Sequence, residues 1–172
     1  MHQLNLELPV KMPKTAYAYG KRSSGETHGV VITKPHVVDL ILDLAGYTAN
    51  RNLAALRLLE PSCGTGAFLV NAAERLLTSA HRHKIPAKHL SDCIHAFDID
   101  ASHVEASRQA VKEILEEHHV PHDTACTLAT GWVREDDFLL ASTARYDAIV
   151  GNPPYIRIEQ IAPQLQAIYR QR

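Results

Sequence analysis

Apolar positions along the 172-residue chain fall into two alternating patterns. Short continuous runs near residues 56–60, 93–97, 125–130 and 146–151 read as buried strands. Between them, apolar residues recur at helical spacing. Val37, Val38, Leu40, Ile41 and Leu44 form one such stripe, with Pro35 suited to a first turn and Gly46 to a stop. Phe68, Leu69, Ala72, Ala73, Leu76 and Leu77 form a second, within a helix predicted from Ala67 to Ala80. A third helix, from Ala101 to His118, buries Val104, Val111, Ile114 and Leu115 and turns Glu105, Lys112, Glu116 and Glu117 outward. A further helix begins near Pro163. Strands alternating with helices predict an α/β, doubly wound, mainly parallel sheet with ligand sites at the carboxyl ends of its strands. About four strands are visible, so the sheet is expected to be incomplete. Residues 1–27, with Lys11, Lys14, Lys21 and Arg22 among turn-prone residues, read as an N-terminal arm, a flexible leader more than a phosphate-touching one. Residues 28–172 are then the folded domain.

The first candidate strand runs into Glu60-Pro61-Ser62-Cys63-Gly64-Thr65-Gly66-Ala67-Phe68. A strand, a glycine turn and a helix start follow one another. Glycines at 64 and 66 permit positive φ and close approach of a ligand to the backbone, and a helix N-terminus favours an anionic group. A dinucleotide fingerprint would need a third glycine, and position 69 is Leu, which disfavours NAD. The second candidate strand ends in Asp98-Ile99-Asp100. A carboxylate there can take both hydroxyls of a ribose. The simpler role for either acid is to cap the following helix, and Asp100 is placed to do so.

The fourth strand candidate leads directly into Asn152-Pro153-Pro154-Tyr155. Two prolines fix φ and restrict the residue before them, so the Asn152 side chain and the Pro153 carbonyl belong to a stiff, extended loop. Such a pair of acceptors suits a planar amino group. An exocyclic amine such as adenine N6 is a poor nucleophile because its lone pair is delocalised into the ring. Accepting both N–H protons, with the Asn152 side-chain oxygen and the Pro153 backbone oxygen, returns that lone pair to nitrogen for attack on a methyl donor. Tyr155 offers a face for the ring to stack on. A proline turn closing a strand is the bland alternative.

Taken together, these motifs resemble an S-adenosylmethionine-dependent DNA adenine-N6 methyltransferase, most closely the methylase part of type II restriction–modification proteins. The segment Gly29-Val30-Val31-Ile32-Thr33-Lys34-Pro35 is similar to that family's N-terminal segment, with Lys34 where the family has its first proline. The resemblance covers roughly residues 28 to 160 and implies a Rossmann-like methyltransferase fold. It implies that Thr33, Glu60, Pro61, Ser62, Gly64 and Gly66 hold S-adenosylmethionine. Asp98, with Ile99 beside it, falls on the ribose-binding acid. Asp137 and Phe138 fall on an Asp-Phe pair that accepts from and stacks on the cofactor's adenine. Asn152, Pro153, Pro154 and Tyr155 form the implied catalytic loop. Such proteins have a larger sheet than the four strands visible here, so a partner chain or self-association is expected to complete it; their target-recognition domain is expected to lie outside this sequence, and DNA is the expected substrate. Protein methyltransferases acting on the glutamine amide also use Asn-Pro-Pro-Tyr, and a non-catalytic fragment is the third reading.

Composition adds limits. The formal net charge is −1, so no global basic field announces nucleic acid. Cys63, Cys93 and Cys126 show no pairing arithmetic and read as reduced thiols, and no apolar run is long enough for a membrane span, which together predict a cytoplasmic protein. The histidine groups at 81–83 and 118–122 flank predicted helix ends and suit dipole positions better than a metal. Asp136 and Asp137 imitate a metal-binding pair, but methyl transfer from a sulfonium needs no metal.

Overall fold

The computed structural model describes residues 33–141 and 145–171; the N-terminal arm and the segment ahead of Thr33 lie outside the described residues. The described elements are α1 (Pro35–Leu44), β1 (Leu58–Glu60), α2 (Ala67–Arg82), β2 (Ile94–Asp98), α3 (Ala101–Glu117), α4 (His122–Trp132), β3 (Val133–Glu135), β4 (Ala148–Ile149) and α5 (Pro163–Tyr169). Single 3₁₀ turns lie at Leu53–Ala55, Ala87–His89 and Ile158–Gln160. The four strands form one parallel sheet in the order β3-β2-β1-β4. This is the α/β, parallel arrangement that the alternation predicts, and it is consistent with the Rossmann-like fold that the resemblance implies. The direction of strand addition reverses between β3 and β4, and such a reversal opens a crevice at the strand ends around β1.

Side-chain alternation divides the sheet into two faces. Leu58, Ile94, Ala96 and Val133 join the main core with Leu69, Ala72, Leu76, Val104, Val111, Leu115 and Trp132. Every residue of β2 is buried, as a strand with a neighbour on each side requires. Trp132 is fully buried, and its indole N–H donates to the Leu90 carbonyl at 2.9 Å, so α4 is tied to the loop before β2. In α1 only Val38 and Leu42 are buried, while Leu40 and Leu44 of the predicted stripe face solvent.

The structure corrects one predicted element. Residues 125–130 are not a strand but the middle of α4. Its buried residues Ala125, Leu128, Ala129 and Trp132 stand at helical spacing, which a short Thr-containing run conceals when read for β-branching alone. The third strand instead occupies Val133–Glu135, buried only at its first residue. The last strand pairs over only Ala148 and Ile149, less than the predicted 146–151. It lies at the edge of the sheet, and Ile149 is 64% exposed.

The sheet unit ends at Tyr155, and the chain from Ile156 onward belongs to a second unit. There Pro163 opens α5, and the Gln166 side-chain amide donates to the carbonyls of Ile158 and Ile161, each at 2.8 Å, fixing the 3₁₀ turn to the helix.

Candidate active site

β1 ends in Glu60, and the chain then turns through Pro61 and Ser62 into the glycine loop. The Cys63 N–H donates to the Phe97 carbonyl at 2.8 Å, and the Gly66 N–H donates back to the Cys63 carbonyl at the same distance. The loop is therefore laid across the end of β2. Gly66 has φ +93° and caps α2 from the left-handed region, where a side chain is strained. A Cβ there would also lie 3.1 Å from the Ser107 hydroxyl oxygen. At Gly64, φ is +52° and an added Cβ would meet nothing within 4 Å, so this side of the loop is open. The Gly64 N–H is not free for an anion, however. It donates to Asp98 Oδ2 at 2.8 Å.

Ser107 was not legible as a site residue, yet it organises this loop. It is fully buried on α3, and its hydroxyl donates to the Gly64 carbonyl at 2.8 Å. The only sequence signal is a small polar residue within the apolar stripe Val104, Val111, Leu115.

Two acids meet behind the loop in very different states. Asp98, at the end of β2, accepts from Gly64 N–H through Oδ2 and from Asp100 N–H through Oδ1 at 2.9 Å, and His103 Nδ1 stands 3.4 Å from Oδ1. Asp100 is the helix cap, accepting from the Ser102 N–H and hydroxyl at 2.8 and 2.6 Å, and those bonds hold its carboxyl below the usual range. Glu60 has no such support. It is 1% exposed, and its Oε2 has no hydrogen-bond partner among the described residues. Burial, with Asp98 adding to it, holds the Glu60 carboxyl well above the usual carboxylate range. Burial and then Glu60 push the neighbouring Cys63 thiol up to about 12.

The Glu60 arrangement has a consequence for stability. The unfolded chain releases this proton near pH 4.3, while the folded chain keeps it to a higher pH, so stability falls as pH rises through that interval. The isosteric Glu60→Gln variant lacks this penalty. It is expected to melt higher than wild type at pH 8, by at least about 1 kcal/mol or roughly 2–4 °C, and no higher at pH 4. Thermal melts at the two pH values check this. A gain of equal size at both would remove the titration of Glu60 as its cause.

Asp137 and Phe138 follow β3, close to the end of β2. The Asp136 N–H donates to the Asp98 carbonyl at 3.0 Å, bringing the pair beside the acid. Asp137 is buried, and its Oδ1 accepts from the Leu139 N–H at 2.9 Å. Phe138 packs at a tilt on Phe97, with ring centroids 5.6 Å apart, on the sheet face opposite the main core. Ile99, between Asp98 and Asp100, is half-buried.

Side-chain tethers position the fourth strand and the loop after it. Tyr146 OH lies 2.9 Å from His95 Nδ1, and Asp147 Oδ2 accepts from the Arg57 N–H at 2.8 Å. Gly151, with φ +153°, then turns the chain; a Cβ there would lie 3.6 Å from Pro61 and 3.7 Å from Glu60 Cγ. Asn152 follows and is half-buried, its amide nitrogen 3.2 Å from the Thr33 hydroxyl, which accepts. Residues 119 positions apart are thus in contact. Among the described residues no donor meets the amide oxygen of Asn152. Pro153, Pro154 and Tyr155 are exposed, Tyr155 at 80%. Thr33, Glu60, Gly64, Gly66, Asp98 and Asn152 therefore gather at one end of β1, β2 and β4. Among the described residues no group of three or more metal-ligating side chains is assembled.

The site combines a glycine turn open on one side, a hydrogen-bonded acid, an orphaned acid and an amide held by one end. The chain is similar to the type II methyltransferase M.BstVI of Geobacillus stearothermophilus, 38% identical over 154 residues. It is also similar to M.PaeR7I of Pseudomonas aeruginosa, 40% identical over 151 residues, and to M.XhoI of Xanthomonas vasicola, 39% identical over 152. These alignments take in 84–86% of this chain but 26–28% of each relative, so the chain spans just over a quarter of their length. The family model described as the RMKL-like methyltransferase domain matches residues 34–172, which contain both the glycine loop and the Asn-Pro-Pro-Tyr loop, and the chain belongs to that family.

Proposed function

We propose that this chain is the cofactor-binding and catalytic portion of a methyltransferase that acts on the N6 amine of adenine in DNA with S-adenosylmethionine as donor. Residues 28–172 make up that portion and residues 1–27 an arm. The observation that carries the reading is the contact between Asn152 and Thr33, because it joins the loop proposed to hold the target amine to the segment proposed to hold the methyl donor. When bound, S-adenosylmethionine supplies an electrophilic methyl group on a sulfonium.

The residues present fit such a ligand. The open side of Gly64 admits a close approach, and Asp98 keeps acceptor capacity for ribose hydroxyls beyond the two N–H groups it already serves. Glu60 holds an unmatched buried oxygen that a cationic ligand would satisfy. Asp137 and Phe138, steadied by Phe97, are proposed for the adenine of the cofactor, with Pro61, Ser62 and Ile99 lining its path. Donation by the Asn152 nitrogen to Thr33 turns Oδ1 towards the target. That oxygen and the Pro153 carbonyl accept the two amine protons, and Tyr155, exposed here, receives the ring. No strong base is needed, since the amine becomes acidic once methylated. The work of the site is alignment and polarisation.

The exposed β4 edge and Ile149 are the motive for a further expectation about the isolated chain. It is expected to bind cofactor but to transfer little label to DNA. Transfer should appear when the remaining length of a type II relative is supplied in trans, with label recovered on adenine N6. Monomeric chain, verified by light scattering, that methylates adenine at ordinary enzymatic rates would overturn the need for completion. Label recovered on a glutamine-bearing protein in place of DNA would overturn the substrate.

A further inference from the structure

Buried polar atoms without partners are uncommon in folded proteins because each forfeits its hydration with nothing in return. Glu60 Oε2 is such an atom. It lies at the carboxyl end of β1, between the glycine loop and the loop that carries Asn152, and its stem passes Gly151. The contrast with Asp98 is informative. Both acids sit at strand ends of the same site, yet Asp98 is met by two backbone N–H groups and a nearby imidazole, whereas Glu60 is met by no donor among the described residues. Within the protein, a leucine or glutamine would serve better at position 60. The return on a carboxyl must come from a ligand.

We propose that Glu60 makes ligand binding at this site proton-coupled and charge-selective: a ligand of net positive charge ionises it and sends its proton to solvent, whereas a neutral ligand of the same shape leaves the proton in place. The inference rests on reading the site as one for S-adenosylmethionine. In that case the charged ligand is the donor, with its sulfonium, and the neutral one is the demethylated product, S-adenosylhomocysteine. The charge balance closes on the protein side: one carboxyl O–H bond breaks, the buffer takes the proton, and the carboxylate faces the cation. On methyl transfer the positive charge would pass from the sulfonium to the target amine and leave with the proton that the amine then releases; the carboxylate is again unmatched, and recovery of a proton disfavours retention of the neutral product. The titratable groups that face Glu60 are Asp98 from β2 and Cys63 from the glycine loop. On the β4 side it meets Gly151, which does not titrate. Asp98 adds negative charge and so strengthens the coupling.

Calorimetry on the full chain at pH 7.5, in phosphate and in Tris, measures the protons released with each ligand, because the two buffers differ in ionisation enthalpy. Wild type is expected to release protons, at most about one, on binding S-adenosylmethionine and far less with S-adenosylhomocysteine. The preference for the charged ligand is expected to rise with pH. Glu60→Gln is expected to abolish the release and to reduce that preference by about tenfold. The comparison of the two ligands on wild type stands even if the variant folds poorly. Equal proton release with both ligands, or release and preference unchanged in a folded Glu60→Gln, would overturn the coupling while leaving the cofactor reading intact. Failure of wild type to bind either ligand would overturn the cofactor reading, and this inference with it.

Discussion

Asn152→Ala, made in a complete and active form of the enzyme, is expected to lower the methylation rate by about 10²-fold or more and to leave cofactor affinity much less affected. An acceptor that polarises the amine acts mainly as the new bond forms, so its loss falls on kcat. The geometry sharpens this expectation. The Asn152 amide nitrogen is committed to Thr33, and the remaining oxygen has one orientation. Thr33→Val should therefore reproduce part of the loss by releasing the amide, which alanine at 152 cannot test. Tyr155→Ala should act differently, weakening use of the target base by about 1–3 kcal/mol of lost stacking. Rapid-quench measurement of a single turnover separates the two. Unchanged turnover in Asn152→Ala would remove the polarising role from this loop.

Asp98→Ala is expected to weaken S-adenosylmethionine binding by roughly 1.5–3 kcal/mol, about 10- to 150-fold, as charge-assisted hydrogen bonds to the ribose are lost. The structure adds a second route to the same loss. Asp98 holds the N–H groups of Gly64 and Asp100, so alanine also frees the glycine loop from the end of β2. Asp98→Asn separates the routes: it keeps an acceptor for Gly64 while removing the charge. Calorimetry should place it between wild type and alanine. Equal affinity for wild type and Asp98→Ala would exclude this residue from the cofactor site.

The sequence by itself determined the elements whose patterns are locally complete. Helical stripes in α2 and α3 repeat over four turns or more, and Gly66 and Asp100 mark their starts, so their limits were legible to within a few residues. The site motifs were legible for a similar reason, because a glycine turn, a strand-end acid and a double proline restrict the backbone or carry their chemistry within a few residues. Short edge elements were less so. The run at 125–130 became helix because Ala125, Leu128, Ala129 and Trp132 pack together on one side, and the true strand at 133–135 is too short and polar to signal itself. Tertiary structure alone decided what lies between motifs distant in sequence. It brought Thr33 to Asn152 and set Ser107 beneath Gly64. It also gave Asp98 its hydrogen bonds while leaving Glu60 Oε2 with none among the described residues. Local pattern records which side chains a segment offers; partners, burial and the resulting protonation come from the segments that fold against it.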